Sequence, residues 1–359
     1  YIKLSDWVSF LAKTGRLHAR TGTKCSEKRK DLCREFWHRF ESTRPHHPLY
    51  QKMRAGELDA GSCVPILHHG DEGRSLRHSP IMILSSHGLL GCGSKQTPPG
   101  QYSIPDDPLQ LNFLGSTMLT HYIFAALPHK LYRKNPEVLD ELLRLYAEDI
   151  TMLSEQGIQM GNERLYFWCV AAKGDLPYLA KAGHMCRTFG HCPKQASSKQ
   201  DCAGVCWRCW AGREGMGMPI PFEDCSMQAT WLQTCGLSPG WERPGPLLGI
   251  PHDTSCSELF YVPDLWHSFH LGCGKSFLAS GIVMIVLASG RSVEPFLDYL
   301  SKDFLSYCKK QKVYGYIGAI TRDLLGWCKN TDMPNGHWWK GFVTTRLFQW
   351  LQDYMAREM

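Results

Sequence analysis

The chain has 359 residues and a formal net charge of +6, a length that suits two domains or one domain with large insertions. Its composition, 43% hydrophobic and 21% charged, excludes a disordered or low-complexity chain. The 16 cysteines are too irregularly spaced for a small secreted disulfide scaffold, and the modest positive excess permits a polyanionic partner without requiring one.

Residues 1–50 read as helical and basic, with Trp7, Phe10, Leu11, Trp37 and Phe40 as apolar anchors before "STRPHHP" breaks the pattern. The basic run "KCSEKRKDLCREFWHRF" fits a solvated helix face better than a polyanion site. Three strand candidates follow, "CVPILHH", which ends at Gly70-Asp71, "SPIMILSSHG", and a segment of "GSTMLTHYIFAALP", the last rich in Thr, Tyr, Ile and Phe and closed by Pro128. In "EVLDELLRLYAEDITMLSEQG", Leu139, Leu142, Leu143, Tyr146, Ile150 and Leu153 recur at three- and four-residue steps, which predicts an amphipathic helix.

A fourth strand, "RLYFWCVAA", runs into "KGDLPYLAKAG". Beyond it lie a Cys-rich stretch over 184–235, the linker "GLSPGWERPGPLLGIPHD" and a strand-like "ELFYV". The apolar run "FLASGIVMIVLASG" has 14 residues, short of the roughly 20 that span a bilayer, and predicts a buried helix with no membrane span. Two helices, "EPFLDYLSKDFLSYCKKQK" and "GHWWKGFVTTRLFQWLQDYMARE", close the chain. Beginning on Tyr1 and ending on Met359 inside a helical pattern, the chain reads as a fragment. The divisions expected are a basic helical region over 1–60, a core over 61–183, a Cys-rich insertion with its linker over 184–260, and a helical region over 261–359.

Three antiparallel strands, a crossover helix and a parallel fourth strand bring the ends of strands one and four side by side. Asp71 in "GDEG" and Asp175 in "GDLP" would then meet at one edge of the sheet, the geometry of ribonuclease-H-like nucleases and transposases. Paired carboxylates suit Mg²⁺, which takes oxygen ligands, and two such ions clamp the attacking and leaving oxygens of a phosphodiester. The glycines beside the acids would admit a phosphate backbone. Ordinary Gly-Asp turns are the competing explanation. A third acid is offered by Asp264 in "PDLWHSFHLG", with His267 at helical spacing, although a helix N-cap accounts for Asp264 as well. Strand alternation sends His68 and His69 to opposite faces, so one at most lies near Asp71.

The stretch "HMCRTFGHCPKQASSKQDCAGVCWRCWAG" offers His184, Cys186, His191, Cys192, Cys202, Cys206 and Cys209. Cys206 and Cys209 have the spacing of a zinc knuckle, which Cys192 or Cys202 with His184 would close, folding a loop that has little core of its own. Free thiols are the alternative. The Trp-rich "HWWKGFVTTRLFQW" invites base stacking, but a core helix is the better reading.

The segments "GDEGR…PIMILSSHG", "AAKGDLPYLAKAGH…CWRC" and "DLWHSFHLG" resemble a large family of uncharacterised dinoflagellate proteins and, more distantly, the DDE transposases of CACTA and Plavaka type. The likeness covers roughly 62–290. It implies DNA strand cleavage and transfer, with Asp71, Asp175 and Asp264, the last beside His267, on the positions of the catalytic acids. Gly-Asp-Glu-Gly stands where the transposases have Asp-Gly, so Asp71 and Glu72 both remain open for the first acid.

The expectation is an α/β protein with a ribonuclease-H-like mixed sheet, a Cys-rich zinc-binding insertion and a helical C-terminal region. Asp71, Asp175 and Asp264 would bind Mg²⁺, and His184, Cys192, Cys202, Cys206 and Cys209 would supply the ligands of a structural Zn²⁺. The expected partner is DNA and the expected setting intracellular and nuclear. The alternatives are an inactive nucleic-acid- or protein-binding module that keeps the fold and the zinc, and a metabolic or signalling domain in which the motifs are coincidental.

Overall fold

A computed structural model describes residues 1–74, 79–91, 93, 107–114, 116–189, 203–214 and 217–358. The chain forms two compact units, Tyr1–Val262 and Pro263–Met359.

The first unit opens with helices α1 (Leu4–Lys13), α2 (His18–Thr21), α3 (Ser26–Glu41) and α4 (Pro48–Arg54). Strands β1 (Cys63–Arg74) and β2 (Pro80–Gly88) pair antiparallel, and a small ladder joins β3 (Leu90–Gly91) to β4 (Gln110–Leu111). Strand β5 (His121–Pro128) leads through the short α5 (His129–Tyr132) to the long α6 (Glu137–Glu155). A tight hairpin of β6 (Ile158–Met160) and β7 (Glu163–Gly174) follows, then α7 (Leu176–Ala182), and β8 (Tyr261–Pro263) closes the series.

Five strands form a mixed sheet in the order β5-β2-β1-β7-β6, and β8 also pairs with β7. The β1–β7 pair is parallel, while β1–β2, β2–β5 and β6–β7 are antiparallel. The three antiparallel strands, the crossover helix and the parallel strand expected from the sequence are therefore present. The β6 hairpin and the β3–β4 ladder were not anticipated, because two- and three-residue strands leave no periodicity to read.

Helix α6 forms because its apolar positions repeat every three to four residues and Glu137 and Asp140 sit in its positive first turn. Its stripe of Leu139, Leu143, Tyr146, Ile150 and Leu153 is buried in the main core with Leu4, Val8, Ile66, Leu84 and Phe167. Full burial of each such side chain is worth about 1.5–3 kcal/mol relative to exposure. A second cluster holds α3 and α4 to the sheet through Trp37, Leu49, Tyr50, Cys63 and Trp168. There the Trp37 indole donates to the Cys63 carbonyl at 2.7 Å. Phe10, expected as an anchor, is exposed instead, and Leu4, Val8 and Leu11 form the buried stripe of α1. The basic face of α3 is largely paired with acids: Lys30 with Glu27, Arg34 with Asp31 and Asp59, and Arg39 with Glu35 and Asp107.

The second unit is helical. A π-helical turn, Trp266–Cys273, runs into α8 (Gly274–Ala288), followed by α9 (Val293–Lys310), α10 (Arg322–Leu325) and α11 (Gly341–Glu358). Its core gathers Leu278, Ile282, Phe304, Leu325, Trp327, Leu347 and Trp350. The apolar run expected as a buried helix is buried along one face only, because Phe277, Met284 and Leu287 of α8 are exposed. Among the described residues, the helical stretch Trp266–Ala288, which is kinked at Gly272, is long and apolar enough to cross a membrane by length and composition, a test that core helices also pass.

Candidate functional site at the acid-bearing strand ends

The "GDEG" segment is neither a turn nor the end of a strand. β1 continues through it, with Asp71 opposite Ile83, Glu72 opposite Met82 and Gly73 opposite Ile81 of β2. On its other edge β1 loses its partner here. The parallel register with β7 ends at Gly70 opposite Gly174, so Asp71 and Asp175 each follow the last paired residue of neighbouring strands. Adjacent strands lie about 5 Å apart, and residues at matched positions face the same side.

The two glycines do not hold open a path for a phosphate backbone. A Cβ on Gly70 or on Gly174 would fall 2.1 or 2.3 Å from ring atoms of Tyr178, so that ring fills the space the glycines leave. Asp175 places it there: it caps α7, its Oδ1 accepting from the Tyr178 amide at 2.7 Å. The Tyr178 hydroxyl is hydrogen-bonded to Nε2 of the fully buried His68. Burial drives the His68 imidazole down to a pKa of about 3, with His69 adding repulsion, so it stays neutral.

Alternation then separates two faces of β1. His68, Gly70 and Glu72 look toward α6 and α7, and Glu72 accepts hydrogen bonds from the Tyr132 hydroxyl and, at 2.9 Å, from Lys181. Burial opposes ionisation of Glu72, but these two donors outweigh it and hold its pKa below the usual value. The opposite face carries His69 and Asp71. In register with His69 is Lys173 of β7, so a His69–Lys173 row stands one step behind the acids.

Two further histidines join that row from β2 and β5. His87 and His121 are directly paired, and their rings stack at 4.2 Å with an interplanar angle of 5°. The His121 ring lies 6.0 Å from that of His69. Burial, then repulsion from Lys173 and Arg20, lowers His121 to a pKa of about 4. His87 is lowered for the same kinds of reason, first by burial and then by His121 and Lys173, and its buried Nδ1 has no hydrogen-bond partner. The face therefore gathers Asp71, His69 and Lys173 beside the stacked His87 and His121, whose imidazoles burial keeps neutral.

His69 and Lys173 stand two residues before each acid, in "HGD" and "KGD", so period-two reasoning alone had access to them. His87 and His121 required the register.

Asp264 is the second residue of the second unit. Its Oδ1 accepts from the Trp266 amide at 3.3 Å and its Oδ2 lies 2.7 Å from His267 Nδ1.

Of the zinc candidates, Cys192 and Cys202 lie outside the described residues, as does His191. The His184 Nε2 lies 2.9 Å from Asp140 Oδ1. The Cys206 and Cys209 thiols are hydrogen-bonded to one another, which together with the Arg208 amide at 3.4 Å lowers Cys206 to a pKa of about 6 against the opposing effect of burial. Two thiols in contact suit zinc in kind, and two aspartates suit magnesium in kind. Among the described residues, no three His, Cys, Asp or Glu side chains are grouped so as to hold a metal ion. No family model, curated protein or solved structure matches this chain.

Proposed function

We propose that this protein is a transposase-related, ribonuclease-H-like enzyme that cleaves and transfers DNA strands, with Asp71 and Asp175 as its central acids. The observation that supports this reading is the parallel register ending at Gly70 and Gly174, after which β1 continues into Asp71 and the chain beyond β7 turns at Asp175 into α7. The strand order β5-β2-β1-β7, with α6 as the crossover before a parallel β7, supports it.

Asp71 and Asp175 would hold Mg²⁺, which when bound supplies Lewis-acid polarisation of a phosphoryl oxygen. Lys173 donates to a non-bridging phosphate oxygen and offsets its charge. His69, one register position across, orients the phosphodiester. Asp264 remains the third acid of the proposal on its place in the sequence. Cys206 and Cys209, with Cys192, Cys202 and His184, remain the proposed zinc ligands.

The test is nicking of supercoiled plasmid with Mg²⁺ or Mn²⁺, comparing the unsubstituted chain with Asp71→Asn, Asp175→Asn and Asp264→Asn. Metal-dependent nicking lost in the first two variants supports the reading, and nicking that survives both ends it. The second reading is a module that binds nucleic acid without cutting it. It predicts DNA retention and zinc by elemental analysis with no nicking at all.

A further inference from the structure

The tryptophan-rich "HWWKGF" segment has two fates in the second unit. Trp338 is buried, and its indole donates to Thr344 Oγ1 at 2.8 Å. Trp339 is 88% exposed, and an indole left that bare has given up nearly all the burial that ordinarily holds a tryptophan in a fold.

Trp339 stands at the rim of a cleft of about 330 Å³ also lined by Gly272, Lys275, Ser276, Asn335 and His337. The Lys275 ammonium lies 5.7 Å from the Trp339 ring centroid, which engages one face of the indole and leaves the other free. Burial alone lowers the Lys275 pKa; no carboxylate contributes. The lysine is set in place by its neighbour: Gly336, at φ +68°, has no room for a Cβ, which would fall 2.7 Å from Lys275 Cγ and 2.8 Å from the Trp338 ring. The loop carrying it is anchored by the amides of Gly336 and His337, which donate to the Leu325 and Leu324 carbonyls at 3.2 and 2.7 Å. Asn335, Ser276 and His337 add side-chain hydrogen-bonding groups to the lining.

A flat π surface, a partly buried cation and a small polar cleft between them, at whose rim Asp323 lies 3.8 Å from His337, call for a ligand that carries both a planar ring and an anion. A nucleotide has both. We propose that this cleft binds one nucleotide of single-stranded DNA, its base stacked on Trp339 and its phosphate on Lys275. A single strand is required because duplex bases have their faces already stacked. The choice of DNA rests on the function proposed above; the cleft itself does not depend on cleavage.

The experiment is fluorescence anisotropy of a labelled oligothymidylate with the full chain and no added Mg²⁺ or Mn²⁺, so that no cleavage intervenes. Trp339→Ala is expected to weaken binding about tenfold, Trp339→Phe to restore most of it, and duplex DNA of the same length to be insensitive to either. Lys275→Gln is expected to weaken binding and to reduce the slope of log affinity against log salt by about 0.7, the loss of one single-strand phosphate contact. Circular dichroism of each variant checks folding, and the exposure of Trp339 leaves no core to disturb. Unchanged affinity in Trp339→Ala, or equal loss in Trp339→Ala and Trp339→Phe on duplex and single strand, overturns the proposal. Binding sensitive to Trp339 in a protein that never nicks plasmid sinks the nuclease reading and leaves this one standing; nicking with binding indifferent to Trp339 does the reverse.

Discussion

Gly70 of β1 lies opposite Gly174 of β7, and one aromatic ring, that of Tyr178, occupies the space beside both. The pair is thus a packing device, and the acids that follow inherit their positions from it. Alanine at 70 or 174 places a methyl group inside that ring's van der Waals radius, so Gly70→Ala and Gly174→Ala are each expected to cost at least about 1–3 kcal/mol by overpacking. Gly73, also in β1, has nothing within 4 Å of where a Cβ would go, and Gly73→Ala should change stability little. Chemical denaturation of the three variants checks this, and a Gly73 variant as damaged as the others would refute it.

Removing the Tyr178 hydroxyl tests the other end of the same contact. Tyr178→Phe keeps the ring between the glycines but leaves His68 Nε2 buried without its partner. An unsatisfied buried group costs about 1–3 kcal/mol. The midpoint of denaturation should fall by that amount with an unchanged slope. A neutral result would mean that His68 finds another partner.

Asp175 both caps α7 and bears a proposed catalytic carboxylate, and the two roles separate by substitution. Asn is as good an N-cap as Asp, whereas Ala forfeits about 1 kcal/mol. Asp175→Asn should therefore retain stability and lose metal-dependent nicking, while Asp175→Ala loses both. Thermal melts beside plasmid nicking distinguish them; full nicking by Asp175→Asn would remove Asp175 from the chemistry.

Several histidines are held neutral by burial. His68 has a pKa lowered to about 3, and His47 and His121 have theirs lowered to about 4. Their unfolded values lie near 6.5, so the unfolded chain binds more protons below that pH and stability must fall on acidification. The stabilisation is complete above about pH 6.5 and declines as pH drops toward 4. For the fully buried His68 the slope approaches about 1.4 kcal/mol per pH unit. Urea denaturation between pH 7 and 4.5 should show the decline, and a His68→Gln variant should show a shallower one. A pH-independent midpoint would contradict the burial of these groups.

The hydrogen bond with Cys209 lowers the Cys206 pKa below the usual thiol value, which favours a thiolate in this pair. Burial drives Cys33 and Cys169 the other way, to about 12. Brief iodoacetamide labelling followed by mass spectrometry should modify Cys206 well ahead of those two, and added Zn²⁺ should protect it if the thiol pair binds metal. Equal labelling of all three would remove the thiolate.

Much of the architecture was open to reading from the chain alone. The amphipathic repeat of 137–155, the apolar β-branched runs of β1, β2, β5 and β7 and the alternation that parts His68 from His69 are local properties, set by the 3.6- and two-residue periods of the backbone. They sufficed to order the strands and to suggest that Asp71 and Asp175 would come together. Register was beyond reach, because pairing one strand against another is decided by how distant side chains pack. The Tyr178 ring between two glycines, the stacking of His87 on His121 and the bulge between Ile66 and Leu67 in the pairing with β7 all follow from it. Burial was likewise decided in three dimensions: Trp338 and Trp339 are adjacent and chemically identical, yet a single step along the chain puts one indole in the core and the other in water, since only one direction from that backbone meets the packed helices.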